Sequence, residues 1–357
     1  MKVIISAGGT GGHIYPALAI INKIKEKEPD SKFLYIGTTN RMEKDIVPMN
    51  NIPYKAIEIY GLTKNNIKND IKDLYLIPKA IHECKKIMKE FKPDVVIGVG
   101  GYVTYPVIMA AQKLGIKTFI HEQNSIPGKA NKWVAKNVTK IGVSFEDSLK
   151  YFGENAVLTG NPTGTDAINK EVISKTKYGL HKNKKCVLIV NGSLGSRVMN
   201  EKMTDYLQSI GKEDYEVLYI TGKMHYESFK QIKFPKNVFI EPFINNLSGL
   251  MKDVDLIVSR AGASSIAEMT ALGLPSILIP SPYVANNHQY YNALSIKNNK
   301  AGDMIEEKDL NTKILKEKIN NILLDDKVYK EYKKNAIKLS NPDSGDKIYK
   351  VLKEIVK

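Results

Sequence analysis

A chain of 357 residues, 43% hydrophobic and 25% charged, has the make-up of a soluble globular protein and the length for two domains, each with its own core. Its net charge of +15 favours an anionic partner: a nucleotide, a nucleic acid or an acidic membrane surface, among which charge alone does not choose. Cys84 and Cys186 have no CxxC spacing, which argues against a disulfide framework or zinc site and suits a reducing cytoplasm, and the apolar run after Lys2 is too short for a signal-peptide core.

Short Val/Ile-rich runs alternate with longer helix-period segments. Strands are expected at 2–6, 32–37, 94–100, 117–123, 140–144 and 155–161, and the pattern restarts at 185–193, 215–222, 237–243, 255–262 and 275–280. This alternation marks parallel sheets covered on both faces by helices. Each half opens with a strand, a glycine-containing turn and a helix, SAGGTGGH in one and NGSLGSR in the other, and GNPTGTDAINK (160–170) has the composition of a linker. The expected fold is α/β, two Rossmann-like doubly wound domains facing a cleft, with ligands at the carboxyl ends of the strands. The uncharged stretch from Val95 towards Lys113 carries Gly98, Gly100, Gly101, Thr104 and Pro106 and falls short of the ~20 apolar residues of a membrane span. It reads as strand, glycine loop and helix start.

The first loop is not a dinucleotide fingerprint. Gly9-Thr10-Gly11 is followed by Gly12, His13 and Ile14, and the second strand ends in Gly37-Thr38-Thr39-Asn40 without an acidic residue for a ribose. No Walker string occurs either. What remains is a backbone stripped of Cβ atoms at a helix N-terminus, able to approach a diphosphate or a sugar closely, with His13 at the mouth. The structural alternatives are a tight turn that needs positive φ and a histidine that caps or packs.

Taken in order, GGTGGHIYP (8–16), GVGGYVTYP (98–106), HEQNSIPGKANKW (121–133), GNP (160–162), GSLGS (192–196), SRAGASSIAE (259–268), GLPSILIP (273–280) and NNHQYYNA (286–293) resemble the MurG family, the N-acetylglucosaminyltransferases of peptidoglycan synthesis. The resemblance covers nearly the whole chain. It implies the glycosyltransferase-B fold and transfer of GlcNAc from UDP-GlcNAc to the C4 hydroxyl of MurNAc in the undecaprenyl-diphosphate-linked pentapeptide precursor, inverting to a β-1,4 linkage. The expected domains are 1–162 for acceptor and membrane docking, 163–340 for UDP-GlcNAc, and a C-terminal helix in 341–357 that packs back on the first.

In SRAGASSIAE a strand ends at Arg260, Gly262 makes the turn, and a helix starting near Ser264-Ser265 offers free amides to a diphosphate. Ser265 and Glu268 also fit a capping box. The resemblance implies that Ala263, Ser264, Ser265, Ile266, Ala267 and Glu268 bind the nucleotide sugar, with Glu268 on the ribose hydroxyls. It places Ser193, otherwise an N-cap, on the diphosphate, the Ile244 backbone on uracil and Gln289 on the sugar. Thr10, Gly11, Gly12 and Asn124 complete the donor set, and Gly100, Gly101, Tyr102 and Asn131 form the acceptor set. Two departures stand out: Gly164 replaces the arginine of GNP-x-R, for which Arg260 or Arg197 would compensate, and Asn191 opens a loop that often reads GGSQGA. His13 is the preferred base, because a neutral imidazole titrates near working pH. His121 and Glu122 are rivals, for the base or for acceptor positioning. Asp253-Val254-Asp255 spells the D-x-D of metal-dependent transferases but leads into a strand at the wrong end of the sheet, so no metal or other cofactor is expected.

A lipid-linked acceptor brings the chain to a membrane. Residues 63–92 mix Ile67, Ile71, Leu74, Tyr75, Leu76 and Ile77 with Lys64, Lys68, Lys72, Lys79, Lys85 and Lys86, which suits an interfacial segment or an ordinary amphipathic helix with a solvated face. The expected partners are UDP-GlcNAc, the undecaprenyl-linked muramoyl-pentapeptide and the anionic inner membrane surface, with no nucleic acid, at the cytoplasmic face. The rival readings are a UDP-sugar transferase acting on another lipid, such as diacylglycerol, a UDP-GlcNAc epimerase needing no acceptor, and a non-catalytic nucleotide-sugar sensor.

Overall fold

The computed structural model describes residues 1–60, 67–191 and 197–357, the side chains of 67–75 and of Arg197 excepted. In chain order the strands are β1 (Lys2–Ala7), β2 (Lys32–Thr38), β3 (Tyr54–Ile57), β4 (Val95–Gly100), β5 (Lys117–Glu122), β6 (Lys140–Val143), β7 (Ala156–Leu158), β8 (Lys185–Val190), β9 (Tyr215–Ile220), β10 (Val238–Glu241), β11 (Leu256–Ser259), β12 (Ser276–Leu278) and β13 (Gly302–Met304). The helices are α1 (Gly11–Lys27), α2 (Glu43–Met49), α3 (Ile67–Phe91), α4 (Thr104–Lys113), α5 (Lys129–Val134), α6 (Pro162–Asn169), α7 (Arg197–Ser209), α8 (Tyr226–Lys230), α9 (Leu247–Met251), α10 (Ala263–Ala271), α11 (His288–Asn298), α12 (Thr312–Leu323), α13 (Asp326–Leu339) and α14 (Ser344–Val356). They form two compact units, one of Met1–Thr163 with Asp343–Lys357, the other of Gly164–Pro342.

Among the described residues the first unit holds a parallel sheet in the order β3-β2-β1-β4-β5-β6-β7, the second one in the order β10-β9-β8-β11-β12-β13. Val3, Ile4 and Ile5 of β1 are wholly buried, as expected of a strand with a helix layer on each face, and full burial of each such side chain contributes about 1.5–3 kcal/mol. The strand order reverses between β1 and β4 in one sheet and between β8 and β11 in the other, the positions where open α/β sheets bind ligands. All the expected strands form, β1 and β2 one residue longer than expected and the others trimmed at their ends. Two more, β3 and β13, lie at sheet edges; β3 exposes Lys55 and Ala56 and β13 is only Gly-Asp-Met, so neither carries a continuous apolar run.

Helix α1 buries Ile14, Ala17, Ile21 and Ile24, one stripe at helical spacing, and ends with Lys25 and Lys27 in the last turn, where cations complement the helix dipole. Helix α14 covers part of the same core with Ile348, Leu352 and Ile355. Its Lys353 and Tyr349 reach Glu28, at 2.6 and 2.8 Å, and hold that carboxyl down at a pKa of about 2.

Gly164 explains one departure from the family motif. A Cβ on it would lie 2.9 Å from the Ala267 carbonyl oxygen and 3.3 Å from the Ala271 Cβ, so α6 packs on α10 through a bare backbone. Gly164→Arg, which restores the motif, is therefore expected to destabilise the protein by about 1–3 kcal/mol, read as a fall in melting temperature of roughly 2–10 °C.

Candidate active site

In the first unit the site begins where β1 leaves the sheet. The β4 register shifts opposite Ser6 and Ala7, so that Gly8 N–H donates to the Gly100 carbonyl at 3.1 Å. The contact is tight: a Cβ on Gly101, at φ +86°, would lie 2.3 Å from the Gly8 oxygen. Gly101 is thus a glycine so that two loops can touch, and a Cβ on Gly100 would strike the His13 ring and one on Gly8 the Glu43 carboxylate, whereas a Cβ on Gly9 would meet nothing and one on Gly12 only the Thr10 hydroxyl. The open face of the turn lies at Gly9–Gly12, with Thr10 and Gly12 exposed.

His13 stands in the first turn of α1, half-buried, its ring against Gly100. Its Nδ1 lies 3.0 Å from the Gly8 carbonyl oxygen. A carbonyl only accepts, so Nδ1 carries the proton and a neutral ring keeps its lone pair on Nε2. Tyr102, at 52% exposure, projects from the adjoining loop.

The rivals to His13 are locked. His121 is fully buried; its Nε2 donates to the Gly160 carbonyl at 2.9 Å, its Nδ1 accepts from the Gln123 amide at 3.0 Å, and burial pushes its pKa down to about 4. Glu122 is buried as well. One oxygen accepts from Asn124 N–H and its side-chain amide at 2.9 and 3.2 Å, the other from Gly128 N–H and the Asn131 amide at 3.0 and 2.9 Å. Neither is placed to take a proton from a substrate; together they hold the loop 121–131 in shape. Asn131, expected as an acceptor contact, is 2% exposed and braces that loop from inside through Glu122 and the His121 carbonyl. Asn124 is half-buried at the same carboxylate.

In the second unit, β11 turns at Arg260–Gly262 into α10. The N-cap is Gly262, which has no side chain to cap the first amides, and the helix starts at Ala263, directly before Ser264-Ser265 as expected. Ser265 lies inside the helix, which removes the capping-box alternative. Glu268 accepts from the Ser248 hydroxyl at 3.2 Å, and burial, aided by Asp166, raises its pKa to about 7. Ile244 is buried between β10 and α9. The Gln289 amide oxygen accepts from Ser281 N–H at 2.9 Å, and Asn292, one turn on, ties α11 to the Ala261 carbonyl at 3.2 Å.

Arg260 does not fill the role of the missing arginine. Its guanidinium pairs with the buried Glu307 carboxylate and donates to the Ile279 carbonyl at 3.2 Å, so its charge is neutralised within the fold. Ser193 and the remainder of 192–196 lie outside the described residues, as does the Arg197 side chain. At the end of β8 the structure adds a network: Asn191 donates to the Tyr219 hydroxyl at 3.0 Å, which bonds Asn200 in turn. Asp253 accepts from Ser174 and from Lys175 N–H, and Asp255 from Cys186 N–H, all at the amino end of β11, so the D-x-D pair serves the fold.

In the segment 63–92, Lys64 and the side chains of Ile67, Lys68, Ile71, Lys72, Leu74 and Tyr75 lie outside the described residues. Leu76 and Ile77 turn inward, joining Ala80, Ile81, Cys84 and Met88 on the core face of α3, so this half is an ordinary amphipathic helix. Among the described residues no helix is long and apolar enough to cross a membrane. An exposed aromatic group stands elsewhere on this unit. Trp133, 55% exposed, packs edge-on to Tyr105, and Lys132 lies 4.7 Å from the Tyr151 ring centre.

The sequence matches the glycosyltransferase family 28 N-terminal domain over residues 3–143 and the C-terminal domain of that family over 186–348. A Bacillus cereus protein named UDP-N-acetylglucosamine–N-acetylmuramyl-(pentapeptide) pyrophosphoryl-undecaprenol N-acetylglucosamine transferase 1 is 45% identical, over 100% of both chains. The crystal structure of Acinetobacter baumannii MurG superposes with a TM-score of 0.80 at 25% identity, covering 99% of both chains. A UDP-GlcNAc 2-epimerase from Neisseria meningitidis, at 14% identity, a TM-score of 0.68 and coverage of 99% of this chain and 100% of its own, shares the fold alone. The chain belongs to glycosyltransferase family 28, and within it to the MurG family.

Proposed function

We propose that this chain transfers GlcNAc from UDP-GlcNAc to the C4 hydroxyl of MurNAc in undecaprenyl-diphosphate-MurNAc-pentapeptide, giving the β-1,4-linked disaccharide-peptide lipid of peptidoglycan synthesis. The observation that carries the reading is His13: in a full-length relative of the MurG enzymes, its tautomer is fixed with Nε2 as the acceptor. Nε2 takes the C4 proton as the hydroxyl oxygen attacks the anomeric carbon. The new C–O bond forms on the face opposite the departing phosphate, and UDP leaves with the electron pair of the broken bond. The uncapped amides of α10 favour the diphosphate's negative charge, and Glu268 takes the ribose hydroxyls. With Arg260 occupied, helix amides replace a cation at the leaving group, and no metal is required. Ile244 and Gln289 complete the donor site, and Tyr102 serves the acceptor.

The enzyme works peripherally at the cytoplasmic face of the membrane. Exposed Trp133 with Lys129, Lys132 and Lys136 beside it supports docking on an anionic lipid surface, where each lysine contributes on the order of 1 kcal/mol. The test offers the muramoyl lipid and diacylglycerol in competition and determines the linkage of the product. A single GlcNAc joined β-1,4 to MurNAc is expected; transfer to diacylglycerol, or an α linkage, overturns the reading.

A further inference from the structure

The carboxylate of Glu43 lies beneath the first glycine loop, wholly buried, at the start of α2. Three donors face it: Gly9 N–H at 3.1 Å on Oε2, and Thr38 N–H and hydroxyl at 3.2 and 2.6 Å on Oε1. Among the described residues no cation pairs with it. The amide that Oε2 accepts from belongs to the Gly8–Gly9 peptide, and the carbonyl of that same peptide receives His13 Nδ1–H at 3.0 Å. One peptide unit therefore joins a buried carboxylate to the imidazole. Its geometry is closely held, since a Cβ on Gly8 would lie 2.6 Å from Glu43 Oε1.

We propose that Glu43 is a positioning residue for the transfer, acting on His13 through the Gly8–Gly9 peptide. The inference rests on His13 being the base. A carboxylate at the amide end polarises the peptide and strengthens its carbonyl as an acceptor, because hydrogen bonds in a chain reinforce one another where water is excluded. The stronger acceptor holds Nδ1–H, fixes the tautomer and stabilises the imidazolium formed when Nε2 takes the C4 proton. This counteracts a local penalty: His13 sits in the first turn of α1, where the helix dipole disfavours a cation. The arrangement does the work of the aspartate in a Ser-His-Asp triad, with a peptide inserted between carboxylate and ring.

The titratable groups around Glu43 are Tyr35 on β2 and Tyr54 on β3, both raised by burial and by the carboxylate, and so neutral throughout the assay range. Asp45, on the same helix, adds to the shift of Tyr54. Against His13 lie the Gly8 carbonyl and Gly100, neither of which titrates.

The test compares Glu43→Gln in wild-type and His13→Gln backgrounds, with kcat, both KM values and the pH profile of kcat measured on folded protein. Glutamine cannot accept from all three donors, so kcat is expected to fall about 10- to 100-fold. KM should move less than about threefold, and the acid limb of the profile should shift to lower pH. In the His13→Gln background the same change should alter the residual rate less than about twofold, because interactions that act as a unit are not additive. Tyr54→Phe, which removes only a bond to the Thr38 carbonyl, is the packing control and should keep kcat. Should Glu43→Gln not fold, Glu43→Asp keeps the charge but withdraws it from Gly9 and should lose kcat to the same extent. An equal loss in both backgrounds, or an unmoved acid limb, overturns the relay and leaves Glu43 as support for the loop. Full activity of His13→Gln instead overturns the base assignment itself, whatever Glu43 does.

Discussion

Replacing His13 with glutamine is expected to lower kcat by about 100- to 10,000-fold, the range for loss of a positioned general base. Donor and acceptor KM should change little, since the ring touches the loop through Nδ1 and glutamine can replace that one bond to the Gly8 carbonyl. The acid limb of the kcat profile should vanish with the imidazole. The alternative reading of His13 as a packing residue predicts the reverse, a lower melting temperature with kcat nearly kept. Steady-state kinetics and thermal denaturation of one variant separate the two, and a kcat within tenfold of wild type contradicts the base assignment.

Glu268→Gln is the second large effect, and it runs in opposite directions for stability and for binding. Burial raises this carboxyl from 4.5 to about 7 in the folded protein. A group whose folded pKa lies above its unfolded value contributes stability that is fully present below about 4.5 and lost as the pH rises through about 7. Ionised Glu268 is therefore a liability in the unliganded enzyme above neutrality. Glutamine removes it, and the melting temperature of the variant relative to wild type should climb between pH 5 and pH 8 by roughly 2–6 °C. Donor binding should suffer, because the ribose hydroxyls lose a charged acceptor and KM for UDP-GlcNAc rises about 10- to 100-fold. In the wild type that KM should fall as the pH passes upward through about 7, while in the variant it stays flat. A stability difference independent of pH, or an unchanged donor KM, contradicts this role.

Much of the fold was legible because its signals are local. A buried parallel strand shows as an unbroken Val/Ile run, and KVIIS and DVVIGVG mark β1 and β4 to within one residue. Strands β3 and β13 were not, because an edge strand with one exposed flank need not be apolar. At the site, the glycine loops and His13 could be found from the chain, but the tautomer could not, since it depends on where the Gly8 carbonyl points. His121 and Glu122 looked alike on paper as a polar pair at a strand end. Only packing tells that both are enclosed and occupied. Arg260 looks like a spare cation in the sequence because its partner Glu307 is far off along the chain. Glu43 is hidden from the sequence for a related reason. The end of the second strand, Gly37-Thr38-Thr39-Asn40, holds no acidic residue, and the one that matters lies five residues beyond Thr38, turned back beneath the loop.

The proposed transfer is tested most directly by UDP release from UDP-GlcNAc in EDTA, with and without undecaprenyl-diphosphate-MurNAc-pentapeptide. Release is expected to depend on the muramoyl lipid, to persist in the chelator and to match, mole for mole, a lipid product heavier by one GlcNAc. Tight UDP-GlcNAc binding by folded protein without acceptor-dependent release, or conversion of the donor to an epimer with no acceptor present, would contradict the proposed transfer.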